Sequence, residues 1–357
     1  MKIAKMINTL CCGLVLLTLL TTRVHAEASK QNGNGHVFLQ GRDIAEFVTI
    51  VREKNGDISL IVTDEFNSTQ RYHTYANVTS LTLSLGDGDD TVTISGHVLI
   101  DGDLTVHFSD GNSLFQSRPT HSDSLSVAGD FILTAGEMGT NEFEFSNQGD
   151  AISVRGDMEL DTGTSGIAGI RIGNCTVEGD CTIQTGGGID SVILGINQNG
   201  SSQIDGISTG GNLTIHTGKH GHTDFVVGHF CSIGGALSVT SGDGEDQVNF
   251  SNTDVMGKTT IKAGRHGDLI GFNNSNLYGD VLVDAGVGDD TVNIGGSRFV
   301  RATKFILKNG DDHLFLVNSI FELTTLVNGG NDFDTGMEIN STFEGGLLGV
   351  FMEDANF

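Results

Sequence analysis

Gly286-Val287-Gly288-Asp289-Asp290-Thr291-Val292 joins a glycine-rich turn to a short alternating segment, and the pattern returns every 22 residues. Steps of 22 from Asp290 fall on Asp224, Asp246, Asp268, Asp312 and Asp334. The chain has 45 acidic residues among 357, about one position in eight, so a column of six marks a repeat and not chance. Other columns keep the same step. Seven residues before each aspartate lie Val239, Ile261, Val283, Phe305 and Val327; two after lie Val248, Ile270, Val292 and Leu314. Four after come Phe250, Phe272, Ile294 and Leu316, and nine after come Val255, Leu277, Phe299, Phe321 and Phe343. Asn252, Asn274, Asn318 and Asn340 form a row that Gly296 interrupts, beside Thr253, Ser275, Ser297, Ser319 and Ser341.

Within one unit, apolar and polar residues alternate over runs too short for a helix with a period of 3.6. Three such runs, separated by Gly-Asp turns or Asn-Ser corners, fit into 22 residues. A unit of this size cannot bury its own apolar face, so it must stack on the units before and after it. Parallel strands about 4.8 Å apart bring equal positions of successive coils into contact. The columns therefore predict an all-β fold, a parallel β-helix that is right-handed by the crossover preference. Aliphatic stacks fill its interior, and Asn and Ser/Thr ladders bond amide to amide and hydroxyl to hydroxyl at one corner.

Upstream the period loosens. Gly102-Asp103-Leu104, Gly129-Asp130-Phe131, Gly156-Asp157-Met158 and Gly179-Asp180-Cys181 mark strand starts. The 34 residues from Asp190 to Asp224 imply an insertion, placed between Gly195 and Gly206. The expected organisation is a disordered lead over 27–35, an N-terminal β cap over 36–80 with a hairpin at Asn55-Gly56, the β-helix over 81–343 and a C-terminal cap over 344–357. The helical part amounts to about eleven coils and about 50 Å of axis.

Residues 1–26 read as a signal peptide: Lys2 and Lys5 precede an apolar run from Leu10 to Leu20, and Val24-His25-Ala26 supplies a small-residue cleavage site. The run is about half the roughly 20 residues that a membrane-spanning helix needs. Its removal takes three basic and no acidic residues from the 19 and 45 of the whole chain, giving 16 − 45 = −29. That charge argues against a nucleic-acid partner and against anionic lipid. Together these features predict a secreted, extracellular or cell-surface protein that is not integral to a membrane. Three cysteines remain, Cys175, Cys181 and Cys231, which is no disulfide framework; a Cys175–Cys181 bridge is the single pairing considered.

Gly86-Asp87-Gly88-Asp89-Asp90-Thr91-Val92, Gly242-Asp243-Gly244-Glu245-Asp246-Gln247-Val248 and Gly286 to Val292 resemble the turn of calcium-binding RTX repeats. With the 22-residue spacing, the chain resembles the exported Gly/Asp-rich β-helix repeat proteins of bacteria. One departure is that RTX units repeat every nine residues. The resemblance implies Ca²⁺ on the aspartate column, with Asp90, Asp190, Asp246, Asp290 and Asp312 as metal ligands and Asp290/Asp312 the best-placed pair. Carboxylates about 4.8 Å apart repel by roughly 3.5 kcal/mol at an effective dielectric of 20, so something must offset the charge. The competing expectation is that each aspartate caps its own turn and leans into solvent.

Three other groups are weighed. His216, His220, His222 and His229 cluster beside the Asp224 turn and His266 lies in the column of His222, but adjacent-coil partners for a metal are missing because Gly244 sits between His222 and His266. β-Helices also host pectate lyases and polygalacturonases, whose sites pair carboxylates with a cation on one outer face. Here Glu159 and Asp161, with Arg171 in the same coil, are the only approach to such a group. The Thr-rich outward set is similar to that of ice-binding β-helices, yet its second row is mixed in size and charge. The expected function is therefore non-catalytic: a surface, adhesive or matrix protein that contacts polysaccharide or a cell-surface or matrix protein along its long face. The alternatives are a polysaccharide lyase or hydrolase and a calcium-dependent structural repeat protein.

Overall fold

One full turn of chain consists of Val281–Val287, Thr291–Gly295 and Arg298–Phe299, and the next of Thr303–Asn309, His313–Val317 and Ile320–Phe321. Each strand pairs in parallel with its equivalent one turn later, and Val283 lies between Ile261 and Phe305 as the columns require. The computed structural model describes residues 28–65, 67–117, 124–145, 152–164, 166–195, 205–218, 222–351 and 354–356. Among these residues there is no helix; three sheets of 14, 15 and 11 strands stack as a parallel β-solenoid. The third sheet holds one strand per coil, which gives the expected eleven.

Inward side chains make one continuous core, from Val37 at one end to Val327 at the other. Val239, Ile261, Val283, Phe305 and Val327 are all fully buried. The aromatic column stacks face to face, with ring centroids 4.6 Å apart for Phe299–Phe321 and 4.9 Å for Phe321–Phe343. Burial of each such ring contributes about 1.5–3 kcal/mol, which is how a unit too small to fold alone holds to its neighbours.

The ends differ from the expectation. Ala28–Gln31, within the stretch expected to be a disordered lead, pairs antiparallel with His36–Gln40. Parallel stacking begins well before residue 81: His36–Gln40 pairs in parallel with Ser80–Ser84, and Glu46–Arg52 with Thr91–Ser95. Val37, Leu39, Val48 and Ile50 supply the same alternation as later coils and are buried, so this segment is already part of a coil. The hairpin at Asn55-Gly56 is present, joining Glu46–Arg52 to Ile58–Asp64 antiparallel. At the other end, Leu347–Phe351 and Asp354–Asn356 do not fold over the last coil. They extend the first and second sheets in parallel. The interior turns polar there, with Gly336 and Glu338 in the columns of Leu314 and Leu316.

The corner ladders follow the expected chemistry only in part: Asn340 Nδ2 donates to Asn318 Oδ1 (3.4 Å), the amide bond expected along that row. Asn252, Asn274, Asn318 and Asn340 hold φ between 50° and 54° and Gly296 holds 59°, so the row is selected for the left-handed backbone. Glycine interrupts the asparagines because both tolerate that conformation. The neighbouring hydroxyls do not bond one another. Ser275 Oγ accepts the N–H of Thr253 (3.1 Å) and donates to the carbonyl of Asn273 (3.0 Å), and Ser297 repeats the pattern. Each hydroxyl thus satisfies backbone groups on two successive coils. The insertion lies where expected, between Asp190–Leu194 and Ile207–Thr209, with its residues 196–204 outside the described ones.

Candidate functional site

The aspartate column lies inside the wall of the solenoid. Asp290 and Asp312 are fully buried, and Asp90, Asp190, Asp224, Asp246, Asp268 and Asp334 retain 1–4% of their surface. The reason is positional: Asp290, Val292 and Ile294 share one side of an alternating run, and that side faces the core. The Oδ1 of each carboxyl accepts the backbone N–H of the equivalent residue one coil earlier. Asp268 donates to Asp290 at 2.8 Å, Asp290 to Asp312 at 2.8 Å and Asp312 to Asp334 at 3.2 Å. Asp190 belongs to the same ladder although 34 residues separate it from Asp224, because the insertion is absorbed elsewhere in the coil (3.0 Å). At the N-terminal end Glu46 donates its N–H to Asp90 (2.8 Å). The expectation that each aspartate caps its own turn and leans into solvent is therefore corrected.

Burial, outweighing these hydrogen bonds, pushes the carboxyls up. Asp268 rises to about 8, and Asp90, Asp224, Asp290 and Asp312 to about 7. Neighbouring carboxyls push the same way. Asp190 and Asp246 are raised too; at Asp190 the hydroxyl bond from Thr185 works against the shift, whereas Ser241 beside Asp246 donates to the carbonyl of Ala263 (2.9 Å). Among the described residues no three or more His, Cys, Asp or Glu side chains are grouped to hold a metal ion. The five aspartates proposed as calcium ligands form a file with one oxygen each committed to the backbone, not a cage around a point.

The other candidates are dispersed. Glu159 and Asp161 stand side by side on Met158–Asp161 in the first sheet, pairing across to Thr182 and Gln184. Asp161 Oδ1 accepts the N–H of Gly163 (2.9 Å). Arg171 lies on Ile167–Ile172 in the second sheet, beside Glu144 and Ile193, so one coil places it on a different wall. His229 bonds Ser251 through Nδ1 (2.5 Å), His216 projects from the first sheet and His266 sits in a turn with φ 75°. His220 lies outside the described residues. The three cysteines are free and buried, and desolvation pushes Cys175 to about 12 and Cys231 to about 11, so they are apolar filling and not nucleophiles.

The outward rows of the first sheet follow the expected register. Thr182, Thr214, Ser238 and Thr260 form one row, and Gln184, His216, Thr240 and Lys262 the next. A cleft of about 600 Å³ opens at the second row, lined by Gln184, His216 and Thr240 together with Thr164, Thr185 and Thr217. Sequence reading missed this cleft because the Gly186-Gly187 turn and Gly218 that help to line it lie outside the repeating strand positions, which are all that periodicity encodes. Among the described residues no helix is long and apolar enough to cross a membrane. No protein-family model, curated protein or solved structure matches the chain.

Proposed function

We propose that the protein is an exported, non-catalytic β-solenoid that acts as a surface, adhesive or matrix element, holding a glycan along the outward face of its first sheet. The observation that carries the reading is the hydroxyl row Thr182, Thr214, Ser238 and Thr260, repeated at the strand spacing of about 4.8 Å beside a second row of mixed polar groups. Such a row offers donors and acceptors in register to a partner that itself repeats. The cleft at Gln184, His216 and Thr240 gives this face a concave stretch, and its hydrogen-bonding groups carry no carboxylate. Separation of Arg171 from Glu159 and Asp161 argues against uronate cleavage at that pair.

The test is a glycan array and a panel of matrix proteins, probed with the full chain and with His216→Ala and Gln184→Ala, beside a turnover assay on uronate polysaccharides. Binding without turnover, weakened about tenfold or more in the cleft variants, is the expected outcome; two lost hydrogen bonds of about 0.5–1.5 kcal/mol each account for that loss. Turnover abolished by Glu159→Gln would replace the reading with a polysaccharide lyase or hydrolase.

A further inference from the structure

We propose that the buried aspartate ladder is a column of neutral carboxylic acids, and that losing their protons sets an alkaline limit on the stability of the solenoid. The inference starts from the second oxygen. In Asp90, Asp246, Asp268, Asp290 and Asp312, Oδ2 is buried and has no hydrogen-bond partner, while Oδ1 accepts a single N–H; at Asp246 the neighbouring Ser241 hydroxyl donates to the carbonyl of Ala263 instead. A buried carboxylate in that position carries a full charge with one donor to hold it. A proton on Oδ2 removes the charge and turns an orphan acceptor into a donor.

The ladder contains its own neutral version. Asn141 occupies the same column, between Ser113 and Ala168. Its Oδ1 accepts the N–H of Ser113 (3.2 Å), as the aspartates accept from theirs, and its Nδ2 donates to the carbonyl of Thr162 (2.8 Å). An amide and a protonated carboxyl present the same pattern, an acceptor on one atom and a donor on the other. Elsewhere the donor comes from outside: Thr185 Oγ1 donates to Asp190 Oδ2 (2.7 Å). In the coils of Asp268, Asp290 and Asp312 the position five residues earlier is Ala263, Ala285 and Leu307, buried and without a donor. Where the hydroxyl is absent, the carboxyl itself must supply the proton.

The charges facing the ladder favour that state. Asp90 faces Glu46, Asp87 and Asp89; Asp224 faces Asp190 and Asp246; Asp268 faces Asp246, Asp290 and Glu245. Asp312 faces Asp289, Asp290 and Asp334, and Asp290 faces Asp284 and Asp289. On the cationic side, Lys308 faces Asp290 but bonds Asp284 (2.6 Å), while His222 faces Asp190 and His266 faces Asp246. The upward shifts of Asp90, Asp268, Asp290 and Asp312 to about 7 or 8, and the upward shift of Asp246, agree with this picture. A carboxyl raised above its unfolded value of about 3.9 binds its proton more tightly when folded. The stabilisation is complete below about pH 4 and is lost as pH rises through about 7 to 8. This is opposite to the usual acid lability of salt-bridged carboxylates.

Infrared spectroscopy and thermal melting of the full chain test the proposal, without and with added Ca²⁺ or chelator. The expected spectrum at about pH 6 contains a protonated-carboxyl C=O band that disappears with a midpoint near 7 to 8, and Tm falls by about 5 °C or more between about pH 6 and 8.5. Asp268→Asn and Asp290→Asn should each raise Tm at about pH 8.5 by a few degrees and flatten the pH slope, whereas Asp280→Asn, which removes an exposed charge, leaves the slope in place. A spectrum with no protonated carboxyl above about pH 5 overturns the proposal. So does a Tm that Ca²⁺ raises and chelator lowers at alkaline pH, which would assign the column to a cation. If an asparagine variant does not fold, the infrared titration of the unaltered chain still decides.

Discussion

At the corner between the third and first sheets, Asp103, Asp130, Asp157 and Asp180 form a second ladder, in which each Oδ1 accepts the backbone N–H of the equivalent residue one coil later, at 2.7–3.0 Å. Asn212 continues it, accepting from Ala236 at 2.8 Å. The hydrogen bond is the same as in the buried column, and its direction along the axis is reversed. What differs is water. The corner carboxylates are exposed, so solvent satisfies the remaining oxygen and screens neighbours about 4.8 Å apart. The inner column has neither resource. One residue type at one spacing is an ordinary surface device on one wall and a store of bound protons behind another.

Substitutions that break this contrast fall in a clear order. The largest effect belongs to Arg42, where the inner column begins. Its guanidinium bonds Glu46 at 3.2 Å and also Asp64, which Arg71 contacts at 2.7 Å. Here a cation, not a proton, neutralises buried carboxylates. Arg42→Ala should cost about 3–5 kcal/mol in urea unfolding, the loss expected when a buried charge is left uncompensated. Next comes the direct pair. Asp290→Ala strands the N–H of Asp268 in the core and should cost about 1–3 kcal/mol, whereas Asp157→Ala leaves the N–H of Asp180 to water and should cost under about 1 kcal/mol. Equal losses in the two ladders would erase the distinction.

The asparagine corner sharpens the comparison, since its cause is the backbone. Asn274→Ala forces a Cβ-bearing residue to keep φ near 50° and should cost about 1 kcal/mol; Asn274→Gly should lie within about 0.5 kcal/mol of the parent. If glycine proves as damaging as alanine, side-chain amide bonds matter there after all. The smallest expected change is in the outer ladder's pH response: Asp157→Asn should leave the dependence of Tm on pH between about 6 and 8.5 unaltered, because water surrounds that side chain and the core gains or loses no charge there.

Much of this was legible in the sequence. The column containing Ile261, Val283 and Phe305 gave the stacking, and its step gave the number of coils. Two expectations come from reading the columns by residue type. Asparagines in a row suggested amide ladders, yet Gly296 within that row pointed to a backbone requirement. The Gly-Asp turn suggested a surface carboxylate or a calcium ligand. Parity held the contrary signal, since Asp290 lies an even number of positions from Val292 and Ile294 and therefore points inward with them. The ends were harder. The alternation of Val37, Leu39, Val48 and Ile50 is the coil's own period, but the Asn55-Gly56 hairpin beside it reads as a separate antiparallel element, and the first coil contains both. Glu159, Asp161 and Arg171 share a coil in sequence, but which wall each occupies depends on the position of two turns.

The most direct measurement counts protons released on unfolding, from the buffer dependence of the calorimetric enthalpy at about pH 5.5 to 6, where exposed carboxylates are ionised in both states. The five acids raised to about 7 or 8, Asp90, Asp224, Asp268, Asp290 and Asp312, should release about four to five protons per molecule as they return to ordinary values when the chain opens. Release of none, or net uptake, would mean that the inner column is already ionised in the folded protein and that the account is wrong.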